Sequence, residues 1–380
     1  MTQVSDRAHM ARALELAARG LYTTDPNPRV GSVVVRDGRV IGEGWHERAG
    51  EPHAEVLALR AAGPQARGAT VYVTLEPCSH TGRTPPCADA LIAAGVARVV
   101  CSSEDPNPRV AGSGIERLRA AGIGVSSGVL AAEARALNVG FFSRFERGRP
   151  WVRLKLAMSL DARTAPASGE RAWISSEASQ ADVQTWRARS GAVLTGAATV
   201  RADDPRLDVR LNYGSWIRQP LRVLLDPMLT CSTGAKLFHG DGALVFAAPD
   251  APERTPPGTS ADSPPGTSAH SPPGAPGSRV ERLPRAAGGL DLHAVIARLT
   301  ELEINELLVE CGPRLAGSFV LSHLVDELVL YVAPTLLGAD AAPLLHVSGL
   351  GAPGSLPAFE FQDIRPIGPD LRLILIPKKS

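Results

Sequence analysis

A chain of 380 residues is long enough for two or three ordinary domains. With 44% hydrophobic and 21% charged residues it has a globular composition, and a formal charge of +1 gives no field that would gather nucleic acid or an anionic membrane surface. Five scattered cysteines exclude a disulfide framework, and no apolar run approaches the ~18 residues of a membrane span. Charges spaced through residues 1–20 leave no apolar core for a signal peptide, so a reducing cytoplasm is the expected compartment.

Helical periodicity opens the chain over Asp6–Arg19. Val30–Val35 and Arg39–Trp45 read as strands flanking Asp37-Gly38, a hairpin pair. His53–Ala62 predicts a helix, Thr70–Leu75 a strand, and Cys87–Ala94 a helix opened by Pro85-Pro86. Arg98–Cys101 reads as a strand, Gly114–Ala121 as a helix and Leu130–Glu146 as one further helix. Gly148 and Pro150 mark the boundary, giving domains 1–148 and 149–380. Strands separated by helices imply a partly parallel, covered sheet.

Trp151–Met158 alternates as the first strand of a second α/β domain would. Buried-strand candidates follow at Ala192–Thr195, Leu221–Leu225, Ala243–Ala247, Glu306–Glu310, Glu327–Val332 and Leu371–Ile376. Between them, Thr255–Ser278 repeats Pro-Pro-Gly from Pro256, Pro264 and Pro272, a period of eight. It has too few apolar side chains to offset ordering and lacks the every-third glycine of collagen, so a disordered insertion is expected.

The strongest chemical signal is His53-Ala54-Glu55 with Pro77-Cys78 and Pro86-Cys87. One His and two Cys suit zinc and leave a fourth position for water, whose pKa the metal lowers towards ~7. Zinc deaminases carry such a set with a glutamate as proton shuttle rather than ligand, usually with Cys-x-x-Cys where this chain has a longer spacer. Glu55 is the expected shuttle and His53, Cys78 and Cys87 the ligands. His53 and Glu55, two apart, reach one metal if it lies off a helix N-terminus. Cys87, opening a helix, gains thiolate character from the dipole. The alternative is a structural zinc with four protein ligands, His80 being the nearest fourth.

Residues 25–38 (DPNPRVGSVVVRDG), 42–56 (GEGWHERAGEPHAEV), 73–91 (VTLEPCSHTGRTPPCADAL) and 104–114 (EDPNPRVAGSG) resemble the deaminase half of the bifunctional riboflavin-pathway deaminase–reductases. The spacer CSHTGRTPPC separates that family from cytidine and tRNA deaminases. The resemblance implies a cytidine-deaminase-like three-layer domain. It also implies that Asn27, His46, His80, Arg83 and Asn107 hold a pyrimidinone and its ribose phosphate. Arg83 suits phosphate oxygens. Ser32 stands where relatives often carry Cys.

The second half has no G-x-G-x-x-G after a strand, so a Rossmann site is unsupported. Residues 153–175 (RLKLAMSLDARTAPASGERAWIS), 195–210 (TGAATVRADDPRLDVR) and 307–320 (LLVECGPRLAGSFV) resemble the reductase half of the same family. The resemblance implies a dihydrofolate-reductase-like domain that binds NADPH through Ala157, Trp173, Thr199, Asp203 and the stretch Gly312, Pro313, Arg314, Leu315, Ala316, Gly317 and Ser318. Arg187, Leu207, Arg210 and Glu310 would meet the substrate, with Lys155 near the reacting centre and facing Glu310 across the sugar. Arg171 replaces a substrate-side Ser and could add a guanidinium to the phosphate. Pro227 replaces a cofactor-side Ser.

The expected enzyme is an α/β, two-domain deaminase–reductase with Zn2+ and NADPH, a small-molecule substrate, neither nucleic acid nor membrane as partner, and a homo-oligomeric state, dimer or tetramer. The rivals are a nucleic-acid base deaminase with an inactive C-terminal domain, and a binding module with structural zinc. Editing would need a basic, aromatic-lined groove, which a charge of +1 and 4% aromatic residues do not supply.

Overall fold

Asp37 and Gly38 both take left-handed backbone angles, φ 51° and 76°, and turn the chain between β1 (Gly31–Arg36) and β2 (Arg39–Trp45). This computed structural model describes residues 3–80, 85–168, 174–211, 217–253, 277–348 and 357–378. Residues Met1–Gly148 pack as one unit and Arg149–Ser380 as another.

In the first unit, α1 (Gln3–Ala18) precedes the hairpin, and α2 (Ala54–Ala62), β3 (Thr70–Val73), α3 (Cys87–Ala94), β4 (Arg98–Cys101), α4 (Ser113–Ala120) and β5 (Gly124–Ser126) follow it. The sheet order is β2-β1-β3-β4-β5, with β1 antiparallel to both neighbours and the β3–β4 and β4–β5 pairs parallel. Strand alternation splits the core. Val33 and Val35 turn to Met10, Ala13 and Leu16 of α1, while Val34 packs with Ala58, Ala62, Leu91 and Leu118 of α2, α3 and α4. The result is three layers.

Two glycines on β2 set where α2 lies. A Cβ on Gly42 would stand 2.3 Å from Ala58 O, and one on Gly44 would stand 2.6 Å from Ala54 O. The helix therefore rests directly on the strand backbone, which fixes its N-terminus and His53. Ser32, the residue that departs from the resembled family, is fully buried in β1, and its hydroxyl has no hydrogen-bond partner among the described residues.

The single helix expected over Leu130–Glu146 is two, α5 (Ala131–Leu137) and α6 (Val139–Arg147), separated at Asn138. The Asn138 amide accepts from Arg29 N at 2.8 Å and donates to Arg29 O at 2.9 Å, so a side chain bonds to a backbone like a neighbouring strand. The group is buried, so Asn138→Ala leaves both Arg29 backbone groups without this partner. It is expected to cost about 1–3 kcal/mol, read as a lower Tm in calorimetry.

The second unit begins with β6 (Trp151–Ser159), the short β7 (Arg163–Ala165), α7 (Glu177–Arg189), β8 (Ala192–Gly196) and α8 (Ala197–Asp203). It continues through β9 (Leu221–Leu225), β10 (Leu244–Ala247), β11 (Arg279–Arg282), the small pair β12 (Arg285–Ala286) and β13 (Gly289–Leu290), and α9 (Leu292–Glu301). It ends with β14 (Glu306–Glu310), α10 (Pro313–Leu321), β15 (Glu327–Ala333), β16 (Ala342–Pro343), β17 (Phe359–Ile367) and β18 (Asp370–Pro377). Among the described residues a nine-stranded sheet runs β11-β10-β9-β8-β14-β6-β15-β18-β17, parallel from β11 to β15 and antiparallel at β18 and β17. β6 is central: Val152, Leu154 and Leu156 enter one core cluster, and on its other face Arg153 is buried between Glu306 and Glu327 of the flanking strands.

The expected insertion Thr255–Ser278 lies outside the described residues except for Gly277 and Ser278. Ser278 is buried and its hydroxyl accepts from Ala243 N at 3.1 Å, so the expectation of disorder is corrected at that residue, which belongs to the fold. No described helix is long and apolar enough to cross a membrane.

Candidate active sites

α2 starts at Ala54, and His53 is its N-cap in extended conformation, φ −75° and ψ 163°. The His53 ring is thereby released from the helix and swings to the helix's open end. Pro86 caps α3 in the same way, and Cys87 is its first residue. His53, Cys78 and Cys87 offer ligand atoms that all lie within 4.8 Å of one another. His53 Nδ1 is 3.2 Å from Cys87 Sγ and 3.6 Å from Cys78 Sγ, and Cys87 N–H donates to Cys78 Sγ at 3.3 Å. Among the described residues no fourth ligand joins this group; His80 is exposed. That disfavours a structural site closed by His80.

The donor set fits zinc. The Cys87 thiol, and after it His53, draw the Cys78 pKa down, while Cys87 is pushed up by Cys78 and by burial. An ion between them would let both ionise. Glu55 stands beside the cluster without belonging to it, 3% exposed, its carboxyl pushed up to about 7 by burial.

His46 and Asn27 form the next shell. His46 is buried, and burial pulls its pKa down to about 4, so the ring is neutral. Its Nδ1 donates to Pro52 O at 3.2 Å, which makes Nε2 the acceptor for Asn27 Nδ2 at 3.0 Å. The His46 and His53 rings meet edge to face, 5.2 Å apart. Asn107 is less open to a ligand: its side chain accepts from Arg109 N at 3.1 Å in a turn. Arg83 lies outside the described residues.

Sequence reasoning gave no role to Glu76, two residues before Cys78. Its buried carboxylate accepts four backbone N–H bonds, from Asp105 (3.2 Å), Gly112 (2.9 Å), Gly114 (2.9 Å) and Ile115 (3.2 Å). It ties the segment after β4 to Pro77-Cys78, and Gly114 permits the approach, since a Cβ there would stand 1.9 Å from Pro77 O. A charged residue three positions beyond a wholly buried strand and two before a metal ligand was the available signal.

In the second unit the candidate residues gather where β6, β8 and β14 end. Glu310 closes β14 and accepts the Arg187 fork, Nε at 2.6 Å and Nη2 at 2.8 Å. Arg187 is thus engaged by a carboxylate, and its Nη1 also donates to Asp208 O at 3.2 Å. Lys155 is the register partner of Glu310 on the adjacent parallel strand. The two stand side by side on one sheet face, so the expectation that they oppose one another across the sugar is corrected. Burial pulls the Lys155 pKa down, with Glu310 and Asp203 opposing and Arg187 adding to the fall.

Thr199 Oγ1 accepts from Gly312 N at 3.1 Å, joining the turn before α10 to α8, which ends at Asp203. Ala157 lies on β6 beyond Lys155. Within the stretch 312–318, Ala316 is in the core, and a Cβ on Gly317 would stand 2.1 Å from His346 O. The exposed members are Arg314 and Ser318, whose hydroxyl donates to Arg314 O at 3.1 Å; Pro313 and Leu315 are half-buried. The first turn of α10, opening after a strand end, has the backbone N–H direction that suits a dinucleotide phosphate. Leu207 is buried with a left-handed φ of 54°, and Arg210, half-exposed, pairs with Asp208 at 2.6 Å. Pro227 follows β9, and its carbonyl accepts from Ala248 N at 3.0 Å. Arg171 and Trp173 lie outside the described residues.

The two units define a zinc-dependent deaminase joined to an NADPH-dependent reductase. Residues 3–103 match the cytidine and deoxycytidylate deaminase zinc-binding region, and residues 150–373 match the RibD C-terminal domain. The riboflavin biosynthesis protein RibD of Escherichia coli strain K12 is 48% identical over 98% of this chain and 100% of its own. The solved RibD of Acinetobacter baumannii superposes with a TM-score of 0.89 at 42% identity, covering 100% of both chains. A Thermotoga maritima enzyme, a diaminohydroxyphosphoribosylaminopyrimidine deaminase and 5-amino-6-(5-phosphoribosylamino)uracil reductase, superposes at 0.81 with 32% identity over 99% of each chain. The chain belongs to the RibD family of bifunctional riboflavin-biosynthesis enzymes. The nucleic-acid base deaminase is not favoured.

Proposed function

We propose that residues 1–148 hydrolyse the 2-amino group of 2,5-diamino-6-ribosylamino-4(3H)-pyrimidinone 5′-phosphate, and that residues 149–380 then reduce the ribosyl group of the product to ribityl. The observation that carries the reading is the convergence of His53, Cys78 and Cys87 beside a buried carboxylate that is not one of the ligands.

His53, Cys78 and Cys87 would hold zinc, which when bound supplies Lewis-acid activation of water. Glu55 takes one water proton to the ring nitrogen and then carries the proton of the newly added hydroxyl to the leaving amine. A carboxyl near neutrality can do both. Ring C2 gains the water oxygen, its bond to the amino nitrogen breaks, and ammonia leaves. Neutral His46 and Asn27 orient the pyrimidinone, with His80, Arg83 and Asn107 towards the phosphate side.

In the reductase, Ala157, Trp173, Thr199, Asp203 and the first turn of α10 would hold NADPH, which when bound supplies the hydride. Lys155 gives a proton to the oxygen released as C1′ is reduced. Glu310 holds Arg187 and steadies the ammonium, and Arg210, Leu207 and Arg171 line the substrate. We place the enzyme in the cytoplasm, where its five free thiols suit a reducing compartment. We also propose a homo-oligomer, dimer or tetramer, whose interface would cover the exposed Phe361, Ile364 and Leu371 of the β17–β18 hairpin.

Incubation of purified protein with the diaminopyrimidinone phosphate, with and without NADPH, tests the reading by mass spectrometry. The expected result is exchange of an amino group for oxygen in both samples and gain of two hydrogens only with NADPH. An unchanged substrate mass in both would overturn it.

A further inference from the structure

At the end of the reductase sheet remote from Glu310 and Gly196 lies a cavity of about 230 Å³. Leu221, Leu244 and Arg279, the first residues of β9, β10 and β11, line it, so it opens on the N-terminal ends of three parallel strands. Lys155, Glu310, Arg187, Leu207 and Arg210 are not in its wall.

Arg222 is the feature that calls for an explanation. It is 9% exposed, it lines the cavity, and its Nη2 lies 3.9 Å from where a Cβ on Gly240 would stand. The other cations of the wall have carboxylates: Arg206 has Asp208 at 2.7 Å, Lys236 has Asp204 at 3.2 Å and Arg279 has Glu281 at 3.3 Å. Arg222 has neither an ion pair nor a side-chain hydrogen bond among the described residues. Burial pulls its pKa down, and Asp241 and Asp208 only partly oppose this. A buried guanidinium without a partner is costly, and a polar cavity beside it can hold what offsets that cost.

We propose that this cavity is a binding site for the phosphate of a small phosphomonoester. Asp208, Asp204 and Glu281 hold Arg206, Lys236 and Arg279, so Arg222 is the wall arginine that no carboxylate engages among the described residues. A phosphomonoester carries about −1.5 to −2 at neutral pH and would give the Arg222 guanidinium a counter-charge. The guanidinium fork suits its oxygens, and Gly240, with a positive φ and no side chain, leaves the backbone open beside Arg222. The size excludes a dinucleotide: 230 Å³ falls below the roughly 300–1,000 Å³ of drug-sized sites and admits a phosphate with a small sugar or ring.

The site is placed to act on the reductase. Asp208 in its wall also pairs with Arg210 at 2.6 Å, and its carbonyl accepts from Arg187 at 3.2 Å. A phosphate that draws Arg206 off Asp208 leaves Arg210 as that carboxylate's remaining arginine, which bears on Arg210 and, through the Asp208 carbonyl, on Arg187. This regulatory step rests on their proposed substrate contacts, whereas the binding does not.

The test is calorimetric titration of full-length protein with inorganic phosphate, comparing wild type, Arg222→Met and Lys236→Met. One set contains the deaminated substrate at saturation without NADPH, which fills the catalytic sites without turnover, and the other contains no substrate. The expected result is binding that persists with substrate present and weakens about tenfold or more in Arg222→Met, the scale of one charge-assisted contact. Lys236, half-exposed and off the strands, should weaken it less and keeps the test open if Arg222→Met does not fold. Equal affinity in wild type and the folded variants overturns the proposal. Phosphate binding that substrate abolishes and Arg222→Met leaves unchanged does so too, since the phosphate would then occupy a catalytic subsite. If the substrate itself does not bind, the substrate-free titrations still decide the proposal.

Discussion

Replacing Glu55 with glutamine is expected to lower deamination by about 100- to 10,000-fold, the range for losing a positioned general acid–base group. Zinc should stay bound, because Glu55 lies outside the three-ligand group. The exchange keeps the shape of a side chain that is 3% exposed and removes its exchangeable proton, so stability should change little. Measuring metal content beside ammonia release separates the roles. Loss of zinc would make Glu55 a ligand, and near-normal ammonia release would end its assignment as shuttle. Reduction of supplied deaminated substrate should be unaffected, because Lys155 and Glu310 lie in the other unit.

Much of the deaminase site was legible because its chemistry is local in sequence. Pro86 stops a helix from starting earlier and so fixes Cys87 at the first turn of α3, and the glycines of β2 bring α2 down onto the strand. The Asp37-Gly38 turn shows in the same way, through backbone angles that few residues accept. What stayed hidden depends on contacts distant along the chain. Asn138 interrupts a good helical pattern because Arg29, far away in sequence, offers it a backbone to bond. Among the described residues β17 pairs only with β18, and it is largely exposed, so its residues carry no burial pattern to read. Lys155 and Glu310 were each placed on a strand correctly, but their relation depends on which strands are neighbours and in what register. Alternation along one strand contains neither fact.

That register shapes the second large effect, Lys155→Met, which is expected to lower reductase turnover by about 100-fold or more. Lys155 and Glu310 share a sheet face, with the Arg187 fork closing the carboxylate from its other side. The ammonium is buried in the field of Glu310, Arg187 and Asp203, 5.8 Å from the centre of the Tyr331 ring. As C1′ is reduced, charge collects on the released oxygen, where a positioned proton donor contributes most. Methionine keeps the length and apolar stem of lysine, so loss of packing should not confuse the result. Single-turnover oxidation of NADPH with deaminated substrate supplied measures the step directly. A pH profile adds a readout that a structural role would not move. The reactive form is protonated and burial pulls the Lys155 pKa down, so turnover should fall as pH rises through a value below the ordinary ~10.4 of lysine. In Lys155→Met that alkaline limb should vanish together with the rate. An unchanged rate would leave Lys155 a strand residue, and weaker NADPH binding with intact hydride transfer would make it a cofactor contact.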